Sequence, residues 1–218
     1  NRLYNVWYEE ADGTTQIRVA VLNQSSGSAT WRYVDGGDAQ EGLNRKPSLD
    51  AIWPRLVEHD GDLYAYWYEE TDPANEDKTT IRVARYNGND SAPAWSYVDG
   101  SKAEGLRAAA DRSADYASLA SFDGALYAAF RSDNGTAYQI RVAIYNGDPQ
   151  NPAWSLVDPG DHGINRDPSF DAYYPKLYAH EGTLYAGWYE RNGEHRQLRA
   201  ARYNGNDTSP AWTLIDGG

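Results

Sequence analysis

A chain that repeats itself at a fixed interval folds as a stack or ring of like units, because one unit alone cannot bury its own faces. Here Leu-Tyr opens a strand-like run at Leu3, Leu63, Leu126 and Leu184, at intervals of 60, 63 and 58 residues. A block reading I-R-V-A, or L-R-A-A in its last copy, starts at Ile17, Ile81, Ile140 and Leu198, at intervals of 64, 59 and 58. Trp followed four residues later by Asp falls at Trp31/Asp35, Trp95/Asp99, Trp154/Asp158 and Trp212/Asp216, again 64, 59 and 58 apart. Three independent blocks in one order at one period mark a repeated supersecondary unit.

A fourth block occurs three times: P-R-L-V-E-H-D-G at 54–61, A-S-L-A-S-F-D-G at 117–124 and P-K-L-Y-A-H-E-G at 175–182. Each leads through an Asp/Glu-Gly pair into a Leu-Tyr run, the signature of a tight hairpin. The unit is therefore four short strands, A to D, with no helical-period segment longer than a turn or two. Strand B is apolar or aromatic on both parities (L-Y-A-Y-W-Y-E-E at 63–70), as a strand covered on both faces must be. The expectation is an all-β chain: a β-propeller of about four four-stranded blades, the first lacking its A strand. The whole chain, 1–218, reads as a single propeller domain with units near 1–50, 51–113, 114–171 and 172–218. A β-sandwich does not explain repetition at this fidelity. Fifteen strands can be counted, so either the chain is a segment of a longer array or one blade of a ring is incomplete. The end at Asp216-Gly217-Gly218, where the next loop would begin, favours a segment. An open strand edge also invites self-association by blade completion.

Composition narrows the chemistry. With no Cys and no Met, disulfides, thiolate sites and thiol nucleophiles are excluded. Tyr 18 and Trp 8 favour sheets and contact surfaces. A net charge of −12 argues against nucleic acid and anionic membranes, leaving a glycan or another neutral or polar ligand as the expected partner, with no membrane insertion. No stretch approaches the length of a membrane span and no signal-peptide pattern opens the chain. The absence of Cys fits an extracellular or cell-surface setting.

The connections from strand C to strand D share a pattern: Asn87-Gly-Asn-Asp-Ser-Ala-Pro-Ala-Trp95, with close copies at 146–154 and 204–212 and a looser one at 23–31. They resemble the Asp-box hairpin of sialidase-like propellers, S-x-D-x-G-x-T-W, with Asp90 and Asp207 five residues before Trp, although the Ser and Gly positions differ and Asp148 is shifted by one. In that family the box is structural, so these turns are expected as hairpin staples with Trp as anchor.

The opposite rim gathers chemistry. Strand B ends in W-Y-E and strand C opens near an Arg, so an antiparallel pair brings them together: Trp7, Tyr8 and Glu9 with Arg18; Trp67, Tyr68 and Glu69 with Arg82; Trp188, Tyr189 and Glu190 with Arg199. In the third unit Phe130-Arg131-Ser132 replaces W-Y-E while Arg141 remains. An aromatic plate beside charged groups suits a sugar. The layout resembles fucose-type propeller lectins, whose repeats carry an I-R-V strand and use Arg, Glu and an aromatic in each blade. That resemblance implies ligand binding by Trp7, Glu9, Arg18, Trp67, Tyr68, Glu69, Arg82, Arg141, Trp188, Glu190 and Arg199. The same residues also fit an ion pair that recurs because the unit recurs.

Three other features fit structural roles. The D–A loops Gly42-Leu-Asn-Arg-Lys-Pro-Ser-Leu-Asp50 and Gly163-Ile-Asn-Arg-Asp-Pro-Ser-Phe-Asp171 suit an extended turn whose Asp accepts backbone N–H groups. The B–C insert with Asp72, Glu76 and Asp77 lacks the Gly and final Glu of an EF-hand loop and reads as a solvated acidic loop. His59 and His180 occupy equivalent A-strand positions where the middle copy has Phe122, which points to packing. No metal-ligand spacing, phosphate loop or nucleophile elbow is present. The sequence thus leads to a non-catalytic, lectin-like extracellular recognition module at the B–C/D–A rim, with no cofactor and no enzymatic activity. A purely structural repeat and a sialidase-like glycoside hydrolase are the alternatives.

Overall fold

The computed structural model describes residues 2–25, 28–36, 42–75, 78–100 and 105–217. Fifteen strands follow in order: β1 (Tyr4–Ala11), β2 (Thr14–Ser25), β3 (Ser28–Tyr33), β4 (Ala51–His59), β5 (Asp62–Glu70), β6 (Thr79–Tyr86), β7 (Trp95–Tyr97), β8 (Ala114–Phe122), β9 (Ala125–Asp133), β10 (Tyr138–Tyr145), β11 (Trp154–Leu156), β12 (Asp171–His180), β13 (Thr183–Asn192), β14 (His195–Tyr203) and β15 (Trp212–Leu214). They form one three-stranded sheet, β1-β2-β3, and three four-stranded sheets, β4-β5-β6-β7, β8 to β11 and β12 to β15. These are the blades and strand order the repeat demands, with no A strand beside β1 among the described residues.

Each A–B connection is a two-residue turn with both residues at positive φ: Asp60 (52°) and Gly61 (81°), Asp123 (48°) and Gly124 (74°), Glu181 (46°) and Gly182 (70°). That conformation matches the twist of the paired strands, which is why the acidic residue is tolerated there. The strands β1, β4, β8 and β12 meet around a central cleft lined by Tyr4, Val6, Arg55, Ser118, Lys176 and Tyr178. Successive blades bury three cores between them. Ile17, Val19 and Val34 of the first blade pack with Trp67 and Tyr86 of the second; Ile81 and Val83 pack with Leu126 and Phe130; Ile140 and Val142 pack with Leu184 and Trp188.

The hairpin staples reach further than one blade. The indole N–H of Trp95 donates to the carbonyl of Val34 in the preceding blade at 2.6 Å; Trp154 does the same to Val98 at 2.7 Å and Trp212 to Val157 at 2.9 Å. Asp90 accepts from Tyr86 of its own blade and Tyr4 of the blade before; Asp207 accepts from Tyr203 and Tyr127 in the same way. The Trp and Asp of the turn therefore clamp neighbouring blades, which explains why they repeat. His59 is buried and paired with Ser121 at 2.8 Å, whereas its equivalent His180 is exposed, since no blade covers that side of β12 among the described residues.

Candidate functional site

The predicted ligand-binding residues come together, most of them buried inside the blades, while Trp7, Glu9 and Tyr68 are half-buried. Trp67, Glu69, Arg82, Trp188 and Glu190 are all buried, as are Arg18, Arg141 and Arg199. Arg82 donates to Glu69 at 3.2 Å and to Asp99 at 3.1 Å; Arg18 pairs with Asp35 at 2.7 Å and Glu9 at 3.2 Å; Arg199 pairs with Glu190 at 3.1 Å and Asp216 at 3.0 Å. Arg141 has one carboxylate, forking onto Asp158 and donating also to the Gly160 carbonyl at 2.9 Å, because Ser132 stands where the other blades have Glu. The Asp of the Trp-x-x-x-Asp repeat is thus the partner of the Arg. Trp67 and Trp188 donate to Glu69 and Glu190, and the backbone N–H groups of Arg45 and Arg166 close the same carboxylates. In this geometry most donors and acceptors are met within the blade, while Arg82 Nη2 is buried without a hydrogen-bond partner among the described residues. Trp7 and Glu9 repeat the pattern in the first blade, at 2.9 Å.

The open chemistry lies closer to the axis, on a feature of the A strands. Each has a register shift, between Ile52 and Arg55, Asp115 and Ser118, and Tyr173 and Lys176. Inside each bulge sits an aromatic residue at positive φ: Trp53 (58°), Tyr116 (51°) and Tyr174 (51°). Bulky residues are disfavoured there at a cost on the order of 1–3 kcal/mol, and such strain concentrates where a side chain must be aimed. The bulges turn these rings toward one end of the axis, where Trp53 remains 55 % and Tyr174 49 % exposed. Tyr116 meets Tyr174 edge-on at 4.3 Å and Tyr68 at 6.0 Å. Together with Arg55, Tyr66 and Lys176 they line a narrow aromatic cleft of about 80 Å³. Of the predicted residues, Trp67 and Tyr68 line it.

The third blade breaks the repeat at this end. The cross-strand pair that is Ile52–Tyr68 in the second blade and Tyr173–Tyr189 in the fourth is Asp115–Arg131 here. Arg131 donates from Nε to Asp115 at 2.6 Å, with a second bond from Nη2 completing the fork. Its guanidinium also lies over the rings of Tyr138 (4.0 Å), Tyr116 (4.7 Å) and Tyr173 (5.1 Å). Burial pushes the Asp115 carboxyl above the usual carboxylate range, and Arg131 opposes the shift. Burial, then Tyr116 and Asp115, push the Tyr68 phenol up; burial and its hydrogen bond with Tyr174 push Tyr116 up to about 12. These phenols stay neutral donors at any working pH. Glu70, Tyr68, Asp115, Arg131 and Tyr138 line a second cleft that shares Tyr68 and Tyr116 with the first, at the B–C/D–A rim.

Sequence reasoning missed Trp53, Glu70, Asp115, Tyr116, Arg131 and Tyr174. The signal was present in the third unit, where Arg131 and Asp115 replace two apolar or aromatic residues together, as facing residues must when one becomes charged. Elsewhere, Asp72 accepts from the backbone N–H of Ala74 at 3.0 Å and pairs with Lys78 at 3.4 Å; Glu76 and Asp77 lie outside the described residues.

No protein-family profile matches this chain, and no curated protein is similar to it in sequence. Solved structures share its fold. A thermostable family-43 glycoside hydrolase is 15 % identical with a TM-score of 0.55, the match covering 98 % of this chain and 71 % of that one. The α-L-arabinanase of Cellvibrio cellulosa, solved with arabinohexaose, is 13 % identical with a TM-score of 0.52, covering 99 % and 74 %. The family-43 endo-arabinanase of Bacillus licheniformis is 14 % identical with a TM-score of 0.52, covering 100 % and 77 %. At such identities the likeness establishes the β-propeller fold. It also corrects the expectation of a non-catalytic, lectin-like module without enzymatic activity: the scaffold matched along nearly the whole chain is, in those proteins, that of glycoside hydrolases.

Proposed function

We propose that this chain acts on glycans as a glycoside hydrolase, with the axial aromatic cleft as its substrate site. The observation that carries the reading is the set of three strained aromatics, Trp53, Tyr116 and Tyr174, converging beside a charged pair found in one blade only. Exposed rings stack on the apolar faces of sugars, and neutral phenols donate to their hydroxyls. Hydrolysis of a glycosidic bond needs two carboxyl groups, one giving a proton to the leaving oxygen and one acting on the opposite face. Asp115, oriented by Arg131, and Glu70, which lines the same adjoining cleft, are the two carboxyl groups this reading assigns. The buried Trp-Glu-Arg sets serve as the frame that holds these strands in register. A glycan ligand and an extracellular or cell-surface setting, where such polymers are met, belong to the same reading.

Release of reducing ends from a polysaccharide panel including arabinan and xylan tests it. Activity on at least one polymer is expected, with Asp115→Asn and Glu70→Gln each lowering kcat/KM by about 10²-fold or more. Trp53→Gly is expected to raise KM while leaving kcat within a few-fold. Turnover unaffected by either carboxylate change, or no turnover of any polymer by folded protein, overturns the assignment.

A further inference from the structure

One edge of the fourth blade displays a complete recognition surface that nothing among the described residues covers. In the first and third blades the start of strand C is read by the D–A loop through five hydrogen bonds. In the first, Ile17 N–H donates to Asn44 Oδ1 (2.9 Å), Asn44 Nδ2 to the Thr15 carbonyl (2.8 Å), Leu43 N–H to the Ile17 carbonyl (2.8 Å), Thr15 N–H to Asp50 (2.6 Å) and Gln16 Nε2 to the Pro47 carbonyl (2.8 Å). In the third, the same bonds join Ile140, Tyr138 and Gln139 to Asn165, Ile164, Asp171 and Pro168, at 2.8 to 3.1 Å. The second blade, whose loop has Arg107, Ala110 and Ser113 where the first has Asn44, Pro47 and Asp50, keeps among the described residues the backbone bridge between Ile81 and Leu106 and a bond from the Thr79 hydroxyl to the Ala114 carbonyl at 3.1 Å.

The fourth blade carries the same reader in β14: Arg196, Gln197 and Leu198 stand where Thr15, Gln16 and Ile17 stand in the first. No loop lies on it. Leu198 is 78 % exposed, whereas Ile17, Ile81 and Ile140 are 0 % exposed. Ile215, whose equivalents Val34, Val98 and Val157 accept the indole bond of the next blade, is exposed as well.

We propose that this face of β14 is a docking site for an extended segment of the repeat's own loop type, Gly-[Leu/Ile]-Asn-Arg-x-Pro-Ser-x-Asp leading into an A strand, presented by a further repeat unit. Its Asn would bridge the backbone of Arg196 and Leu198, its Pro carbonyl would accept from Gln197, and its Leu or Ile would cover Leu198. The commitment to this occupant rests on two worked copies of the same interface within the chain. It is independent of the proposed activity.

The probe is a fluorescently labelled synthetic peptide copying residues 163–180, titrated with the 218-residue protein and followed by anisotropy. Saturable one-to-one binding is expected. It should weaken at least about tenfold when the Asn at the peptide's third position is replaced by Ala, and likewise with the Leu198→Asp protein, whose exposed position leaves folding intact. A peptide copying 105–122, which has Arg107, Ala110 and Ser113 at the positions of the Asn, Pro and Asp, should bind at least about tenfold more weakly. Equal binding of a scrambled peptide, or no loss with Leu198→Asp, overturns the proposal. So does light scattering that shows a dimer abolished by Leu198→Asp and undisturbed by the peptide, which would make a second copy the occupant.

Discussion

At the scale of single residues, burial separates side chains that hold the fold from those free to meet a ligand. The Arg that opens strand C looks in sequence like a sugar-binding group, yet in the second blade it sits fully buried between Glu69 and Asp99. Removing Arg82 leaves the buried Glu69 without its cation, while Asp99 keeps Arg45. Arg82→Met is therefore expected to cost about 3–5 kcal/mol in urea unfolding. Arg18→Met should cost less, because Glu9 is 38 % exposed at its side chain and water can take over part of the solvation; equal losses would contradict this. The Trp-Tyr-Glu and Arg residues were legible as a set, since they recur with the unit, but their burial was not, because each set is closed by Asp35, Asp99, Asp158 or Asp216 from the bend that follows strand D, placed against it only on folding. Asp115 and Arg131 were harder still, being a single departure from the pattern that identified everything else.

At the scale of elements, loops and bulges carry what strands alone do not. Gly42, Gly105 and Gly163 open the D–A loops at positive φ, pressed against the backbone of strand C. A Cβ on Gly163 would stand 2.1 Å from the Ile140 carbonyl oxygen, whereas one on Gly182, also at positive φ, would meet nothing within 4 Å. Gly182→Ala should thus lose only the about 1–2 kcal/mol of a left-handed residue. Gly163→Ala should lose clearly more, since the loop must also move away, and thermal melts of the two variants measure the difference. The strands themselves were readable from alternation and the Asp/Glu-Gly turns. The A-strand bulges were not, since Ile52-Trp53-Pro54 shows no Gly at the position that takes positive φ.

At the scale of the whole molecule, four blades make three shared cores, so protection should be uneven around the assembly. The Leu198 amide, with no loop over it among the described residues, is expected to exchange with solvent at least about tenfold faster than those of Ile17 and Ile140, whose amides are held by Asn44 and Asn165. Native-state hydrogen exchange resolves these positions, and equal protection would show that the fourth blade is shielded in solution. The sequence by itself determined the unit and its four-strand order, because period and alternation are local properties of a chain that must bury both faces of its strands. Only the tertiary structure decided which polar residues are sealed within blades and which converge at the axis. That outcome depends on how successive blades stack and on bulges that redirect a few side chains, and neither is written in the period.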